Sequence, residues 1–174
     1  GIIHVLLNSA SEQQKKTLLK SVLDGWRIGN AGPERGTKNT LELKARITTH
    51  NGQLSISGQK FYSTGALFAH WVAVKALNYQ GQQIMAFVPR GSAGLSIVDD
   101  WSGFGQRTTA SGTVLLDAVQ IDPNLVIETW RASQTPNIQG AVSHLIQAAI
   151  DAGIARGAIA DTIEFVRHRA RHCI

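Results

Sequence analysis

Cysteine is almost missing from this sequence. The single one, Cys173 of 174 residues, can close no internal disulfide, so the fold rests on its core and the usage fits a reducing, cytoplasmic setting. No apolar run approaches the roughly 20 residues of a membrane span. No secretory leader opens the chain, so neither membrane insertion nor export is expected. Charged residues are sparse at 17% against 43% hydrophobic, a balance that excludes wholesale disorder. There is no Gly-x-Gly-x-x-Gly, no Walker loop, no nucleophile elbow and no ligand spacing of a metal site. Acidic residues are the scarcer sign, 12 against 17 basic, for a net charge of +5. That excess raises nucleic acid as a partner. The basic residues, however, are scattered and do not interleave with aromatics on strands. Only Arg167, His168, Arg169, Arg171 and His172 cluster, at a helix end where cations suit the macrodipole. A non-catalytic basic β-module binding nucleic acid is therefore the weaker alternative.

What is present falls into three segments. Residues 1–25 read as the end of a helical domain: an apolar run from Ile2 to Leu7, then a helix capped by Ser9 or Ser11. Its buried stripe is Leu18, Leu19, Val22 and Leu23, and Gly25 ends it. Residues 26–128 read as strands. Leu41, Leu43, Ala45 and Ile47 alternate with polar residues, and Asn51-Gly52 is a two-residue hairpin signal. Gln53–Ser57 alternates again, with Leu54 and Ile56 facing a core and Ser55 and Ser57 facing out. Further strands are predicted at Trp71–Leu77, Gln83–Val88, Leu95–Val98 and Thr113–Ile121, with Asp122-Pro123-Asn124 closing the region. Residues 129–174 hold a helix from Asn137 to about His172, with Ile138, Val142, Leu145, Ile146, Ala149 and Ile154 on its apolar face. Ala149, Gly153 and Gly157 recur at four-residue intervals. A helix-interior glycine costs about 1 kcal/mol relative to alanine, so the repeat predicts close approach of a helix from a larger bundle or a second subunit. The fold class expected is α+β: a central all-β, barrel-like domain flanked by an N-terminal helix and the start of a C-terminal helical bundle. The whole reads as an interior segment of a longer protein.

Two polar, glycine-rich stretches organise the β region, Gly29–Thr37 and Gly58–Gly65. In the second, Tyr62 and Thr64 share a face, setting a planar ring beside a hydroxyl as a flat heterocycle needs. Ala31-Gly-Pro-Glu-Arg-Gly-Thr37 resembles the Thr-Glu-Pro-Gly-Ala-Gly-Ser loop of the acyl-CoA dehydrogenase superfamily. Lys60-Phe-Tyr-Ser-Thr64 resembles its Lys-x-Trp-Ile-Thr, and Gly105–Thr113 with the strand to Pro123 is similar to its Gly-x-Arg segment. The departures, Gly29-Asn-Ala, Glu34-Arg35 and the aromatic-Ser/Thr-Gly ending, resemble one branch: flavin monooxygenases of organosulfur metabolism, of the dibenzothiophene monooxygenase and sulfur-acquisition types.

That resemblance implies a cofactor, reduced FMN supplied by a separate flavin reductase, and a small organosulfur substrate. It also implies a homotetramer. The alternative is an FAD-dependent acyl-CoA dehydrogenase, to which the loop is less similar. By resemblance, Asn30 through its amide and Ala31 through its backbone lie beside the isoalloxazine. Thr64 reaches the N5/C4 edge, with Ser63 beside it, Tyr62 packs near the ring, and Thr37 lies near phosphate. Glu34 and Arg35 occupy a loop over the flavin; read from the residues alone they form an exposed ion pair, Asn30 and Thr37 are turn residues, and Tyr62 is core. Arg107 is expected to brace a loop, and Trp101, Phe104, His70 and His144 to pack in the interior. The family's catalytic glutamate or histidine belongs to a helical region beyond these residues, so no catalytic residue is assigned.

Overall fold

The computed structural model describes residues 1–39, 42–134 and 138–168; Leu41, Asn137, Arg169, Arg171, His172 and Cys173 lie outside them. It divides into two compact units, Ile2–Pro136 and Asn137–Ile174.

The first unit opens with two helices, α1 (Ile2–Ser9) and α2 (Glu12–Leu23). Of the two candidate caps, Ser11 is the one used. Its hydroxyl accepts from the Gln14 amide, and the Gln14 side chain accepts in return from the Ser11 amide. Gly25, at φ +87°, ends the helix as expected. Leu18 is fully buried, whereas Leu23 is 86% exposed and drops out of the predicted stripe.

Eight strands follow: β1 (Ile28–Ala31), β2 (Arg46–His50), β3 (Gln53–Lys60), β4 (Trp71–Leu77), β5 (Gln83–Pro89), β6 (Leu95–Val98), β7 (Thr113–Ile121) and β8 (Val126–Ile127). They form one mixed sheet in the order β6-β7-β3-β2-β4-β5-β8, with β1 parallel to β4. The expected barrel is not closed. Closure needs the end strands to pair, and among the described residues β6 pairs only with β7 and the two-residue β8 only with β5. Halfway along, a single residue pair, Arg46 and Leu77, links β2 to β4.

The core explains why β4 and β5 read as continuous apolar runs rather than alternating ones. Val72, Val74, Ala76, Ile84, Ala86 and Val88 face Ile56, Val114, Leu116 and Val119 of β3 and β7. Ala73, Met85 and Phe87 face the other way, onto Leu6, Ala10 and Leu18 of the helices. A strand buried on both faces loses its period-2 signal. Ile56 is buried as predicted, but so is Ser55, because its hydroxyl lies 3.0 Å from that of Thr48 across the hairpin. The hairpin turn is the expected one: Asn51 and Gly52 both have positive φ, 50° and 76°.

The second unit is one helix, α3 (Gln139–His168). Its apolar residues, among them Leu145, Ile146, Ile154 and Phe165, are exposed. A Cβ built at Gly153 or Gly157 meets nothing within 4 Å.

Candidate functional site

Strand β1 brings the first polar stretch into the sheet, with Asn30 opposite Ala73 and Ala31 opposite Val74 of β4. Its free edge is taken by the chain that follows β3. The Asn30 amide donates to the Thr64 carbonyl at 3.0 Å. The approach is so close that a Cβ at Gly29 would sit 2.5 Å from the Ala66 Cα, which is why glycine stands there. Gly29-Asn-Ala and Tyr62-Ser-Thr-Gly, distant in sequence, are neighbours in the fold.

The loop after β1 is anchored from below by Lys60, the last residue of β3. Its ammonium donates to the Gly32 carbonyl at 3.2 Å and to Glu34 Oε1 at 2.5 Å, and both side chains of the ion pair are buried. Glu34 also accepts from the backbone amides of Lys44, at 2.7 Å, and Ala45, at 3.1 Å. Burial alone would raise the Glu34 carboxyl, but the bond from Lys60 and the two amides outweigh it, and its pKa lies below the ordinary value. Burial pulls the Lys60 ammonium down from the usual lysine range, and Glu34 opposes that shift. The exposed Glu34–Arg35 pair predicted from sequence is therefore not made. Glu34 turns inward to Lys60. Arg35 turns outward, its guanidinium carbon 4.2 Å from the centre of the Phe61 ring and 5.4 Å from that of Tyr62.

Beyond Lys60 the strand stops, because Tyr62 takes a positive φ of 53° and the Thr64 amide turns back onto the Tyr62 carbonyl at 2.9 Å. Thr64 thus lies in a tight turn. Tyr62, 50% exposed, and Thr64 nevertheless both face outward around the fully buried Ser63. The Ser63 amide donates to the Gly112 carbonyl at 2.9 Å and the Gly65 amide to the Ala110 carbonyl at 2.8 Å, which ties this turn to the segment before β7. The Ser63 hydroxyl is buried with no hydrogen-bond partner among the described residues.

The segment before β7 supplies groups that were not predicted. Ser111 Oγ lies 2.8 Å from Thr64 Oγ1 and 2.9 Å from Thr109 Oγ1. Asp100 accepts from the Thr113 amide at 2.8 Å and from its hydroxyl at 2.7 Å. The Thr113 hydroxyl lowers the pKa of the exposed Asp100 most; slight desolvation opposes it, and the Thr113 amide and the nearby Arg35 charge add to the lowering. Trp101 stands edge-on to Tyr62, ring centres 6.4 Å apart at 80°. Arg35, Tyr62, Asp100, Trp101, Ser111 and Thr113 line one cleft of about 250 Å³. A larger hollow of about 710 Å³, walled by Ile47, Leu54, Ile84 and Val126, offers one carboxylate, Glu128, which is already paired with Arg131 at 2.5 Å. The smaller cleft is the one lined by several polar and aromatic side chains.

Asn30, Ala31, Arg35, Tyr62, Ser63 and Thr64 are thus brought together. Thr37 is not: its hydroxyl donates to the Asn39 carbonyl at 3.1 Å in a local turn. Glu34 lies beneath the loop as its anchor. Trp101 lines the cleft instead of filling a core, Phe104 is fully exposed, and Arg107 makes no side-chain hydrogen bond among the described residues. His144 is exposed on α3, and His70 stacks on Trp26 at 5.3 Å while its Nδ1 accepts from the Arg27 amide. The signal that would have found Ser111 and Thr113 is the density of hydroxyls in Thr108-Thr-Ala-Ser-Gly-Thr113, just before a strand that borders Lys60.

No family model matches the sequence. Individual relatives do. A dibenzothiophene monooxygenase of Mycolicibacterium goodii is 31% identical over 175 residues, 92% of this chain and 42% of that protein. A probable FMNH2-dependent monooxygenase, SfnC, of Pseudomonas putida is 25% identical over 171 residues, 96% of this chain and 42% of its own length. A probable acyl-CoA dehydrogenase of Bacillus subtilis, YngJ, is 25% identical over 172 residues, 91% of this chain and 44% of that protein. The FMN-bound crystal structure of TdsC from Paenibacillus sp. A11-2 superposes with a TM-score of 0.74 at 26% identity, covering 93% of this chain and 44% of that one. The chain spans less than half the length of these relatives. By sequence and by fold it is a homologue of the dibenzothiophene monooxygenases, with acyl-CoA dehydrogenases among its more distant relatives.

Proposed function

We propose that this protein is a flavin-dependent monooxygenase that uses reduced FMN to oxidise a small organosulfur compound. The observation that carries the reading is the bond between the Asn30 amide and the Thr64 carbonyl, which sets three ligand-facing groups together. These are the Asn30 side-chain amide, the half-exposed Tyr62 ring and the Thr64 hydroxyl. The residues fit a flavin. The Asn30 side chain and the Arg35 guanidinium make no hydrogen bond among the described residues, and Tyr62 with Trp101 offers an aromatic wall. When bound, reduced FMN supplies the electrons that activate oxygen.

The chain's own residues bind and orient. Asn30 and the Ala31 backbone meet the polar edge of the isoalloxazine, Thr64 meets its N5/C4 edge, and Tyr62 covers it. Arg35 supplies a cation, the buried Ser63 supports the turn that carries Tyr62 and Thr64, and Glu34 holds the loop in place through Lys60. FMN is preferred to FAD because the relatives bind or use it. Residues 26–128 form the flavin-binding middle domain, between the end of one helical domain (1–25) and the start of another (129–174). A cytoplasmic homotetramer served by a flavin reductase completes the reading.

The test supplies full-length protein with FMN, a flavin reductase, NADH and 18O-labelled oxygen, and offers dibenzothiophene and small sulfones or sulfides. One labelled oxygen atom in the product is expected. Hydrogen peroxide alone with every compound contradicts the proposal. Tightly held FAD bleached anaerobically by an acyl-CoA assigns the protein to the dehydrogenases instead.

A further inference from the structure

We propose that Ser111 is a positioning residue that sets the direction of the Thr64 hydroxyl toward the flavin, as the middle member of a Thr109–Ser111–Thr64 hydroxyl chain. The inference rests on the reading of Thr64 as the residue that meets the flavin edge.

The geometry is specific. Ser111 is buried, 7% exposed, and its single hydroxyl lies within hydrogen-bond distance of two others, 2.8 Å from Thr64 Oγ1 and 2.9 Å from Thr109 Oγ1. It is held there by the backbone on either side of it. The Ala110 carbonyl takes the Gly65 amide, and the Gly112 carbonyl takes the Ser63 amide, so the turn carrying Thr64 and the segment carrying Ser111 are stitched together around the hydroxyl contact. Each hydroxyl owns one proton, so the order of donation along the chain is shared by its members. If Thr109 donates to Ser111, Ser111 donates to Thr64, and the Thr64 proton, held otherwise only by a long 3.5 Å contact to the Tyr62 carbonyl, can turn outward to a ligand. Reversed as a set, the chain makes Thr64 an acceptor on that side. One arrangement meets a ring nitrogen without a proton, the other a ring nitrogen that carries one. The Thr64 amide is not available for either, being bonded to the Tyr62 carbonyl. The side chain must therefore make the contact, and Ser111, at 2.8 Å against 3.5 Å for the Tyr62 carbonyl, is its nearer partner and the one that orients it. A hydroxyl that accepts from a neighbour is also a better donor, which strengthens the outward bond.

A double-mutant cycle on the full-length protein tests this, read as the dissociation constant of oxidised FMN by fluorescence quenching, with melting temperature measured alongside. Thr64→Val is expected to weaken FMN by about threefold to tenfold, the loss of one neutral hydrogen bond. Ser111→Ala is expected to weaken it by about twofold to fivefold, within that range because Thr64 keeps its hydroxyl but loses its orientation. In the double variant Ser111→Ala should cost nothing further, and Ser111→Thr, which restores the hydroxyl, should return affinity to near wild type. Losses that multiply in full, or a Ser111→Ala protein with unchanged FMN affinity, overturn the proposal while leaving Thr64 in its role. Unchanged affinity in Thr64→Val overturns the reading of Thr64 itself. Should Ser111→Ala fail to fold, Thr109→Val breaks the chain at the end away from Thr64, and there a melting change with no affinity change counts against the proposal.

Discussion

Glu34 shows how one carboxylate decides a site. With two backbone amides and a buried ammonium around it, it fixes the loop that carries Arg35 over Phe61 and Tyr62. Removing one member of a buried ion pair is worth several kcal/mol because the other is left without compensation. Glu34→Gln should therefore destabilise the protein at neutral pH by about 3 kcal/mol. The pH dependence has a definite sign. The Glu34 pKa is lowered in the folded state, so its contribution is full above the ordinary carboxylate range and is lost as pH falls through the depressed folded value. Urea unfolding of both proteins across the acid range should show the two curves converging as pH drops. A constant gap between them would mean that Glu34 does not titrate with the fold. At this scale the sequence told residue identity better than residue environment. Asn30, Tyr62 and Thr64 stood out as candidates because their motifs carry the resemblance, and the fold brings them together. The partner of Glu34 was not, because it is Lys60 from the other motif, and no local rule pairs residues so far apart.

Among the elements, β1 is held by contact rather than by length. Four residues long, it lies between β4 and the Gly65-Ala66 backbone, and Gly29 admits the approach. Gly29→Ala should force that backbone aside, cost about 1–3 kcal/mol in chemical denaturation, and weaken FMN binding because Asn30 moves with it. Wild-type stability would show that the two segments are free to separate. Strands β4, β6 and β7 were predicted with their observed bounds, since their apolar runs end in plain turn signals. The alternating stretch before Arg46 was misread as strand. Leu43 and Ala45 are buried in alternation, but the amides of Lys44 and Ala45 go to the Glu34 carboxylate and leave no ladder to join. Alternation reports burial of one face; it does not report where the backbone bonds go.

At the scale of the whole molecule, the barrel expected from short, regular strands is an open mixed sheet, because strand spacing carries no information on whether end strands meet. Its two-sided centre, β4 and β5, separates the core shared with β3 and β7 from the one shared with α1 and α2. No helix among the described residues is long and apolar enough to cross a membrane, and no group of metal-binding side chains occurs among them. The account comes down to one place, the cleft where the loop after β1, the turn at Tyr62–Gly65 and the segment before β7 converge. A crystal structure of the full-length protein with FMN tests it most directly. The isoalloxazine should lie against Tyr62, with Thr64 Oγ1 and the Asn30 side chain within hydrogen-bond distance of its polar edge. FMN bound elsewhere, with Asn30, Tyr62 and Thr64 still facing solvent, would contradict it.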